Sequence, residues 1–166
     1  MSNATPDDAE ALSQQARESR QAESFEEAVA LYERALAVDP TRVNDWINMG
    51  LSLWRLHRNE QALECYDRAL AVDPRAALAW MNRANAMHDL KRPASEVLAC
   101  YDHALEIDPL LASAWYNKGD ELAWMGNYTE AISCFEKARD LGMHDAVRLI
   151  ARCREIVMND LNEITP

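Results

Sequence analysis

Residues 37–40 of this chain read Ala-Val-Asp-Pro, the same four residues return at 71–74, and Glu-Ile-Asp-Pro occupies 106–109. The three prolines are therefore separated by 34 residues (40 to 74) and by 35 residues (74 to 109). Two columns of aromatic residues keep the same spacing, namely Trp46, Trp80 and Trp115, and Tyr32, Tyr66, Tyr101 and Phe135. Self-similarity at this period is typical of a helical solenoid, in which each unit buries its apolar face against its neighbours.

The composition favours an all-α fold in a single compact domain. The chain has 166 residues, of which 49% are apolar, so it can bury a continuous core. It has only four Gly and six Pro, and its long stretches are filled by Ala, Leu, Glu and Arg, which are good helix formers. We therefore expect helices joined by short turns.

The chain is strongly acidic, with a net charge of -11 from 17 Lys and Arg against 28 Asp and Glu. Such a surface repels phosphate backbones and anionic lipids, so neither nucleic acid nor a membrane is an expected partner. Most of the acids fit solvated outer faces, and a basic partner protein is the alternative. No stretch approaches the roughly 20 apolar residues of a membrane span, and the start of the chain lacks an export signal.

Three cysteines indicate a reducing, cytoplasmic location. Cys65, Cys100 and Cys134 each directly precede the aromatic residue of their repeat, so whole repeats separate them. Neighbouring helix axes lie about 8 to 10 Å apart, which exceeds the roughly 7 Å between Cα atoms that a disulfide allows. We expect free thiols that fill helix interfaces.

The period and the turn residues divide the chain into four helix pairs followed by a capping helix. The predicted segments are an N-terminal stretch at 1–8, repeat units at about 9–42, 43–76, 77–111 and 112–143, and a last helix with its tail at 144–166. The third unit has one residue more than the second between its Trp and its Tyr. We place the insertion in the turn at 91–95, because within a helix it would rotate the apolar face by about 100°.

Local signals indicate where the helices begin and end. Thr5 is expected to cap the first helix, Ser24 and Asn127 each open a helix as part of a capping box, and Gly142 ends the eighth helix. Beyond Gly142, an apolar stripe is predicted to cover the open end of the array. Its members are Val147, Ile150, Cys153, Val157 and Leu161.

The second unit resembles the tetratricopeptide repeat, whose pattern runs from Trp through Leu-Gly and a large apolar residue to Ala, an aromatic residue and Pro. The matching residues are Trp46, Gly50, Leu53, Ala62, Tyr66, Ala69 and Pro74. In the third and fourth units, Arg83 and Lys118 stand where the family has Leu. The resemblance covers about Ala9 to Asp145. It implies a right-handed superhelix of antiparallel helix pairs that binds other proteins.

In this family the first helix of each pair lines the concave face, which implies a peptide groove beside the Trp column. Asn48, Asn82 and Asn117 each lie two residues after their Trp, and their amides would hold the main chain of an extended peptide. The alternative is that these amides only solvate the surface. Apolar residues at helical spacing supply the predicted floor of the groove, which comprises Ile47, Leu51, Trp54, Met81 and Tyr116.

Further polar residues complete the predicted groove. Asn85 adds a hydrogen-bonding group, and Asp89 and Asp120 favour a basic group in the bound segment. The stripe of Leu51 and Trp54 has two other candidate occupants besides a ligand, because a second protomer or the last helix folded back would also cover it.

Some relatives hold the acidic tails of chaperones with a clamp of Lys and Arg on this face. The corresponding positions here hold Ser13, Leu78 and Asn82, whereas Asn48 matches and only Arg17 is charged. We therefore expect no specific binding of acidic chaperone tails.

No pattern indicates catalysis, a metal site or a cofactor. The four histidines lack metal-ligand spacing, no cysteine pair forms a zinc knuckle, and no Gly-rich phosphate loop is present. We predict a non-enzymatic cytoplasmic adaptor or scaffold that captures an extended or apolar segment of another protein. The alternatives are a small dedicated chaperone that shields an apolar client segment, and a homo-oligomer formed through Leu51 and Trp54.

Overall fold

The computed structural model describes the backbone of residues 5–164 and the side chains of residues 5–160. Within that part it contains α-helices and no strand, which confirms the all-α fold class. The helices are α1 (Pro6–Gln21), α2 (Phe25–Val38), α3 (Val43–Arg55), α4 (Asn59–Val72), α5 (Ala77–Asp89), α6 (Ala94–Ile107), α7 (Ala112–Trp124), α8 (Tyr128–Asp140) and α9 (Ala146–Ile164). Residues 1–4 of the predicted N-terminal stretch and the side chain of Leu161 lie outside the described residues.

The chain divides into two compact units, with the division between Lys91 and Arg92. Unit 1 contains α1–α5 and unit 2 contains α6–α9, and each unit is described by itself. Within each unit, helices that follow one another in sequence pack together, as expected for stacked hairpins. In unit 1, α3 also contacts both α1 and α5.

The predicted one-residue insertion lies in the turn between α5 and α6. Residues 90–93 separate these two helices, whereas residues 56–58 separate α3 from α4. The extra residue is therefore accommodated outside the helices, and the apolar faces keep their register.

The predicted cap of α1 forms, but two predicted capping boxes do not. The Thr5 hydroxyl accepts a hydrogen bond from the Asp8 amide, and the Thr5 amide donates to the Asp8 carboxylate at 2.7 Å. Neither Ser24 nor Asn127 makes a side-chain capping bond. Their ψ angles of 67° and 58° differ from the extended 162° of Thr5, because both residues also close the preceding turn.

Four turns are closed by a main-chain bond between residues five apart, which is the Schellman arrangement. The donors are the amides of Ser24, Arg58, Asn127 and Met143, and the acceptors are the carbonyls of Ser19, Leu53, Leu122 and Ala138, at 2.8 to 2.9 Å. The residue before each donor has a positive φ, which is 59° at Glu23 and His57, 84° at Gly126 and 98° at Gly142. A left-handed residue thus ends the helix each time, although two of the four are not glycine.

The core of each unit is built around the aromatic residue of the second helix in each pair. Tyr32, Tyr66 and Phe135 are the largest fully buried side chains in the part of the chain that the structure describes. A β-carbon added to Gly50 would lie 2.5 Å from the Tyr66 ring, and one added to Gly119 would lie 2.7 Å from the Phe135 ring. The two glycines therefore permit the close approach of α3 to α4 and of α7 to α8.

Each tryptophan of the Trp column forms a hydrogen bond between the first helix of its pair and the turn before that helix. Trp46, Trp80 and Trp115 are only partly buried. Each indole N–H donates to the carbonyl of the proline six residues earlier, at 2.9 to 3.0 Å. This bond explains why the Asp-Pro turn and the tryptophan keep a constant spacing.

The helix α9 packs on α8 through Ile150 and Cys153 of the predicted stripe, but its first buried residue is Ala146 and not the predicted Val147. Ala146, Ile150 and Cys153 are buried in the apolar cluster of unit 2, whereas Val147 is exposed. The first member of the stripe is therefore Ala146, because it lies four residues before Ile150 and so shares its face of the helix. Cys153 and the other three cysteines are buried free thiols.

Candidate functional site

The residues predicted to form the groove lie in both units, so each set is described within its own unit. In unit 1, α3 carries Ile47, Asn48, Leu51 and Trp54, and α5 carries Met81, Asn82, Asn85 and Asp89. In unit 2, α7 carries Tyr116, Asn117 and Asp120.

Leu51 and Trp54 line a cavity of about 270 Å³ in unit 1, which we call the Leu51 pocket. Its other walls come from the end of α1, the start of α2 and the end of α3, and they comprise Arg20, Gln21, Glu23, Phe25 and Arg55. Both Leu51 and Trp54 are partly exposed. The pocket therefore has an apolar floor of aliphatic and aromatic groups, with charged side chains at its rim.

The rim of the Leu51 pocket was not predicted from the sequence. The Arg55 guanidinium lies over the Phe25 ring, with its Cζ 5.2 Å from the ring centre, and Arg55 Nη2 is 3.9 Å from Glu23 Oε1. These contacts join the end of α3 to the turn between α1 and α2. The only sequence signal was an apolar residue, Phe25, at the start of a helix whose other first-turn residues are acidic.

Trp54 is oriented by a hydrogen bond between α3 and α5. Its indole Nε1 donates to Asp89 Oδ2 at 2.6 Å, so the structure brings together two groups that were predicted separately. The bond holds the polar edge of the ring at α5. A ring fixed at that edge presents its apolar part to the Leu51 pocket.

Three residues that were predicted to line the groove are buried, and the structure places them in the core instead. Ile47 is 5% exposed, Met81 is 8% exposed and Asn82 is 6% exposed. Ile47 packs in a cluster with Ala69 of α4 and Ala79 of α5, so its stripe on α3 belongs to the interface between helices. A side chain in such an interface cannot reach a ligand unless the helices separate.

The remaining amides of unit 1 keep part of their surface in solvent. Asn48 on α3 and Asn85 on α5 are partly exposed, and α3 and α5 contact each other. The predicted amides of Asn48 and Asn82 are therefore not equivalent, because Asn82 is buried while Asn48 is partly exposed. Equal spacing from a tryptophan does not by itself produce equal exposure.

In unit 2, Tyr116 lies partly in the core and partly beside an acidic side chain. Its ring contacts the Phe135 ring edge-on, with centres 5.7 Å apart and planes at 65°. Burial raises the pKa of Tyr116, and the nearby carboxylates of Asp120 and Asp145 raise it further. Since Asp145 directly precedes α9, the start of the last helix lies close to this face of α7.

Three family models that describe the tetratricopeptide repeat match the chain, at residues 9–42, 47–112 and 112–141. The chain belongs to the tetratricopeptide repeat family. No curated protein matches its sequence.

Solved structures share the tetratricopeptide repeat fold of this chain. A crystal structure of MamA protein has a TM-score of 0.76 at 20% identity, over 89% of this chain and 81% of that chain. A second crystal structure of MamA has a TM-score of 0.68 at 17% identity, over 89% and 96%. The first TPR of Spaghetti (RPAP3), bound to the HSP90 peptide SRMEEVD, has a TM-score of 0.70 at 18% identity, over 75% and 98%.

The positions at which some tetratricopeptide repeats carry a cationic clamp have other contacts here. The Ser13 hydroxyl is buried, and its single proton can be donated either to the Ala9 carbonyl, whose oxygen lies 2.9 Å away, or to the Asp45 carboxylate. Arg17 Nη2 lies 2.9 Å from Glu10 Oε1, so the charged residue at these positions already has an ion pair.

The described part of this tetratricopeptide repeat chain contains no group of three or more His, Cys, Asp or Glu placed to hold a metal ion. Burial raises the pKa of the Cys65 thiol to about 12, and it also raises the pKa values of Cys134 and Cys153. These thiols are protonated at neutral pH and are poor nucleophiles. Among the helices described, none has the length and apolar character to cross a membrane.

Proposed function

We propose that this chain is an adaptor that binds an extended segment of a partner protein, and that the Leu51 pocket accepts an apolar side chain of that segment. The tetratricopeptide repeat fold supports a protein-interaction scaffold. The observation that carries the finer proposal is the pocket itself, where Leu51 meets an indole held by Asp89. Binding sites are typically preformed concavities with apolar and aromatic walls and a few placed polar groups.

The polar groups near the Leu51 pocket suit the main chain of a peptide. Asn48 and Asn85 each offer a donor and an acceptor, which match the carbonyl and amide of an extended segment whatever its sequence. Asp89 favours a basic group near the bound apolar side chain. In unit 2, Tyr116, Asn117 and Asp120 combine the same three chemistries, and we propose that they bind protein in the same way.

The ligand that we propose differs from the acidic peptide in the RPAP3 structure. Arg17 is already paired with Glu10, and Ser13 is buried, so a clamp for a terminal carboxylate lacks its cations. We expect titration calorimetry with the peptide SRMEEVD to show no specific binding. A complex of micromolar affinity would contradict this expectation.

Site-specific photo-crosslinking tests the Leu51 pocket. A benzophenone amino acid at position 51 should capture a partner from the cytosol of the source cells, whereas the same group at position 72 should not. Val72 is the matched control, because it is also an apolar residue of unit 1 and is more exposed than Leu51. Equal capture of one protein at both positions would refute the proposal.

The substitution L51D tests whether the Leu51 pocket contributes to binding of the captured partner. A carboxylate on the pocket floor would have to be desolvated when an apolar group binds, so we expect at least about tenfold weaker binding of the captured partner. V72D should leave binding unchanged. Thermal melting of both variants shows whether the fold is retained. Light scattering tests self-association. A dimer that dissociates in the L51D variant but not in the V72D variant would identify a second copy of this chain as the occupant of the Leu51 pocket.

A small dedicated chaperone is a second proposed function, and it is supported by apolar exposure in unit 2. Trp124 is 76% exposed and the neighbouring Met125 is also exposed, at the end of α7. Exposed apolar surface of this kind marks interaction sites. Capture of an apolar client segment at position 124, with none at position 51, would favour this function. Four buried free thiols support a reducing cytoplasmic location for either function.

A further inference from the structure

Arg83 departs from the family pattern and takes part in a specific contact within unit 1. Its guanidinium Cζ lies 5.9 Å from the centre of the Trp80 ring, and its Nε donates to Asp67 Oδ1 at 2.7 Å. Trp80 and Arg83 lie on α5, and Asp67 lies on α4 directly after the buried Tyr66. A cation is therefore held between an aromatic face and a carboxylate.

Lys118 makes the same contact within unit 2. Its Nζ lies 6.0 Å from the centre of the Trp115 ring and 2.5 Å from Asp102 Oδ1. Asp102 also directly follows the aromatic residue of its repeat, Tyr101. Two different cations at one repeat position thus reach the same pair of partners, which indicates that the arrangement favours a positive charge at that point.

The preceding repeat has the aromatic ring and the carboxylate but not the cation. Subtracting 34 from 67, 80 and 83 gives Glu33, Trp46 and Met49. The Trp46 ring is anchored as the other two are, because its N–H donates to the Pro40 carbonyl at 2.9 Å. Met49 carries no charge and cannot form an ion pair with Glu33. The aromatic ring and the carboxylate of a cation site are therefore present, but the cation between them is not.

A cavity of about 280 Å³ lies at this place, between α2, α3 and α4. We call it the Trp46 cavity. Its walls are Glu33, Trp46, Met49, Leu53, Arg58, Gln61, Glu64, Cys65 and Arg68, so it shares no residue with the Leu51 pocket. Two arginines line it, but Arg58 donates to Gln61 at 2.5 Å, and neither arginine forms an ion pair with Glu33.

Cys65 lines the Trp46 cavity, and two glutamates of the same cavity affect its thiol. Burial raises the pKa of Cys65, and the carboxylates of Glu64 and Glu33 raise it further. At the equivalent thiol of unit 2, Cys134, burial also raises the pKa, but the ammonium group of Lys118 lowers it. The position that the Lys118 ammonium group occupies beside Cys134 is therefore held in the Trp46 cavity by Met49, which carries no charge.

We propose that the Trp46 cavity receives an arginine side chain of a partner protein, whose guanidinium stacks on Trp46 and pairs with Glu33 as Arg83 does with Trp80 and Asp67. Arginine is the occupant that we choose over lysine, because its planar group combines ring stacking with directed donation to a carboxylate. The acidic surface of the chain, with its net charge of -11, favours the approach of a basic segment. This site is separate from the Leu51 pocket and does not depend on the function proposed there.

A peptide titration followed by NMR tests the proposal on the full chain. The probe is the pentapeptide Gly-Gly-Arg-Gly-Gly with blocked ends, and the readout is the resonance of the Trp46 indole N–H. The matched probes replace arginine by citrulline, which is neutral and of similar shape, or by glutamate. We expect a saturable shift with the arginine peptide, and at least about tenfold weaker response with the citrulline peptide.

Substitutions identify the groups responsible. E33Q should weaken the response to the arginine peptide by about tenfold, whereas E60Q, which removes the same charge from an exposed residue outside the cavity, should not. M49R should abolish the response, because an internal guanidinium would then occupy the cavity. L51D should leave the response intact, which separates this proposal from the adaptor function.

Several results would overturn the proposal. These are equal responses to the arginine and citrulline peptides, equal effects of E33Q and E60Q, or a stronger response to the glutamate peptide, which would assign the cavity to Arg68 and an acidic partner. If M49R does not fold, the comparison of E33Q with E60Q still decides the outcome, since both substitutions only neutralise a surface carboxylate.

Discussion

The Cα of Gly50 faces the ring of Tyr66 so closely that a β-carbon would lie 2.5 Å from Tyr66 Cε1 and 2.9 Å from Cζ. Tyr66 is 1% exposed, so its ring is packed on all sides and cannot swing away. At the equivalent place in the first hairpin, Ala16 packs in the same cluster as Tyr32, so that hairpin accommodates a methyl group. Helix spacing is therefore set separately in each repeat.

We expect G50A to destabilise the protein by about 1 to 2 kcal/mol. Alanine gains up to about 1 kcal/mol of helix propensity over glycine, but overpacking a rigid core costs about 1 to 3 kcal/mol and outweighs that gain. Urea denaturation measures the change. The double variant G50A with Y66L should recover part of the loss, because leucine lacks the ring atoms that clash. Additive effects of the two substitutions would contradict the close contact.

The left-handed residues of the turns predict opposite responses to substitution. Gly142 has a φ of 98° and no atom within 4 Å of an added β-carbon, so G142A should destabilise by about 1 kcal/mol through backbone strain alone. His57 already has a φ of 59°, so H57G should be neutral or stabilising by up to about 1 kcal/mol. Thermal melting of both variants checks the pair, and a stabilised G142A would contradict the assignment.

The buried carboxylate of Asp45 should be among the polar groups that matter most for stability. It is 1% exposed and accepts hydrogen bonds from the Ser13 hydroxyl and, at 2.5 Å, from Arg42 Nε. D45A leaves both donors without this acceptor, so we expect a loss of about 2 to 3 kcal/mol in urea denaturation. D67A is the control, because Asp67 is half exposed and its pair with Arg83 should contribute about 1 kcal/mol or less. Equal losses would contradict this reasoning.

Stability should fall in alkaline solution partly because of Cys65. Its pKa of about 12 in the folded chain exceeds the ordinary thiol pKa of 9.0, so the unfolded chain loses this proton first. The contribution of this thiol to the free energy of unfolding is therefore fully present below pH 9. It decreases as the pH rises above 9, by up to about 1.4 kcal/mol per pH unit. Urea denaturation at pH 8, 9 and 10 should show a smaller decline for C65A than for the unaltered chain. An unchanged decline would show that other groups cause it.

The helices could be predicted closely because their limits depend on local signals. The turn signals agree with the structure at α6, because the predicted turn at 91–95 contains Pro93, which directly precedes Ala94, and the Asp-Pro turn follows the last residue of the helix, Ile107. The prediction failed at Ser24, where the hydroxyl makes no capping bond. The turn before α2 is closed by the main chain, and a residue that ends one helix and opens the next does not adopt the extended backbone of a side-chain cap.

The candidate site could be predicted only in part, because helical spacing shows which residues share a face but not what covers that face. Leu51 and Trp54 do line a cavity, whereas Ile47 and Met81 are buried. The helix α3 contacts four other helices, α1, α2, α4 and α5, so a second apolar stripe on it need not face solvent. The amphipathic pattern of one helix carries no information on how many neighbours it has.

The contacts of Arg83 and Lys118 show that departures from a family pattern carry information when they are compared between repeats. Both cations replace the family's leucine, and each lies near a carboxylate, Asp67 or Asp102, that follows the repeat aromatic. A comparison of the repeats would have revealed this pairing before any coordinates. It would also have marked Met49 as the exception.

The main-chain closure of the turns has a consequence for the rate of folding. Each Schellman turn joins residues five positions apart, and the two helices that it connects are neighbours in sequence. The loop that must close to form such a hairpin is short, so little chain entropy is lost before the apolar faces meet. Proteins dominated by contacts of low sequence separation fold in microseconds to milliseconds. We therefore expect rapid refolding in which any hairpin can form first and the others add to it.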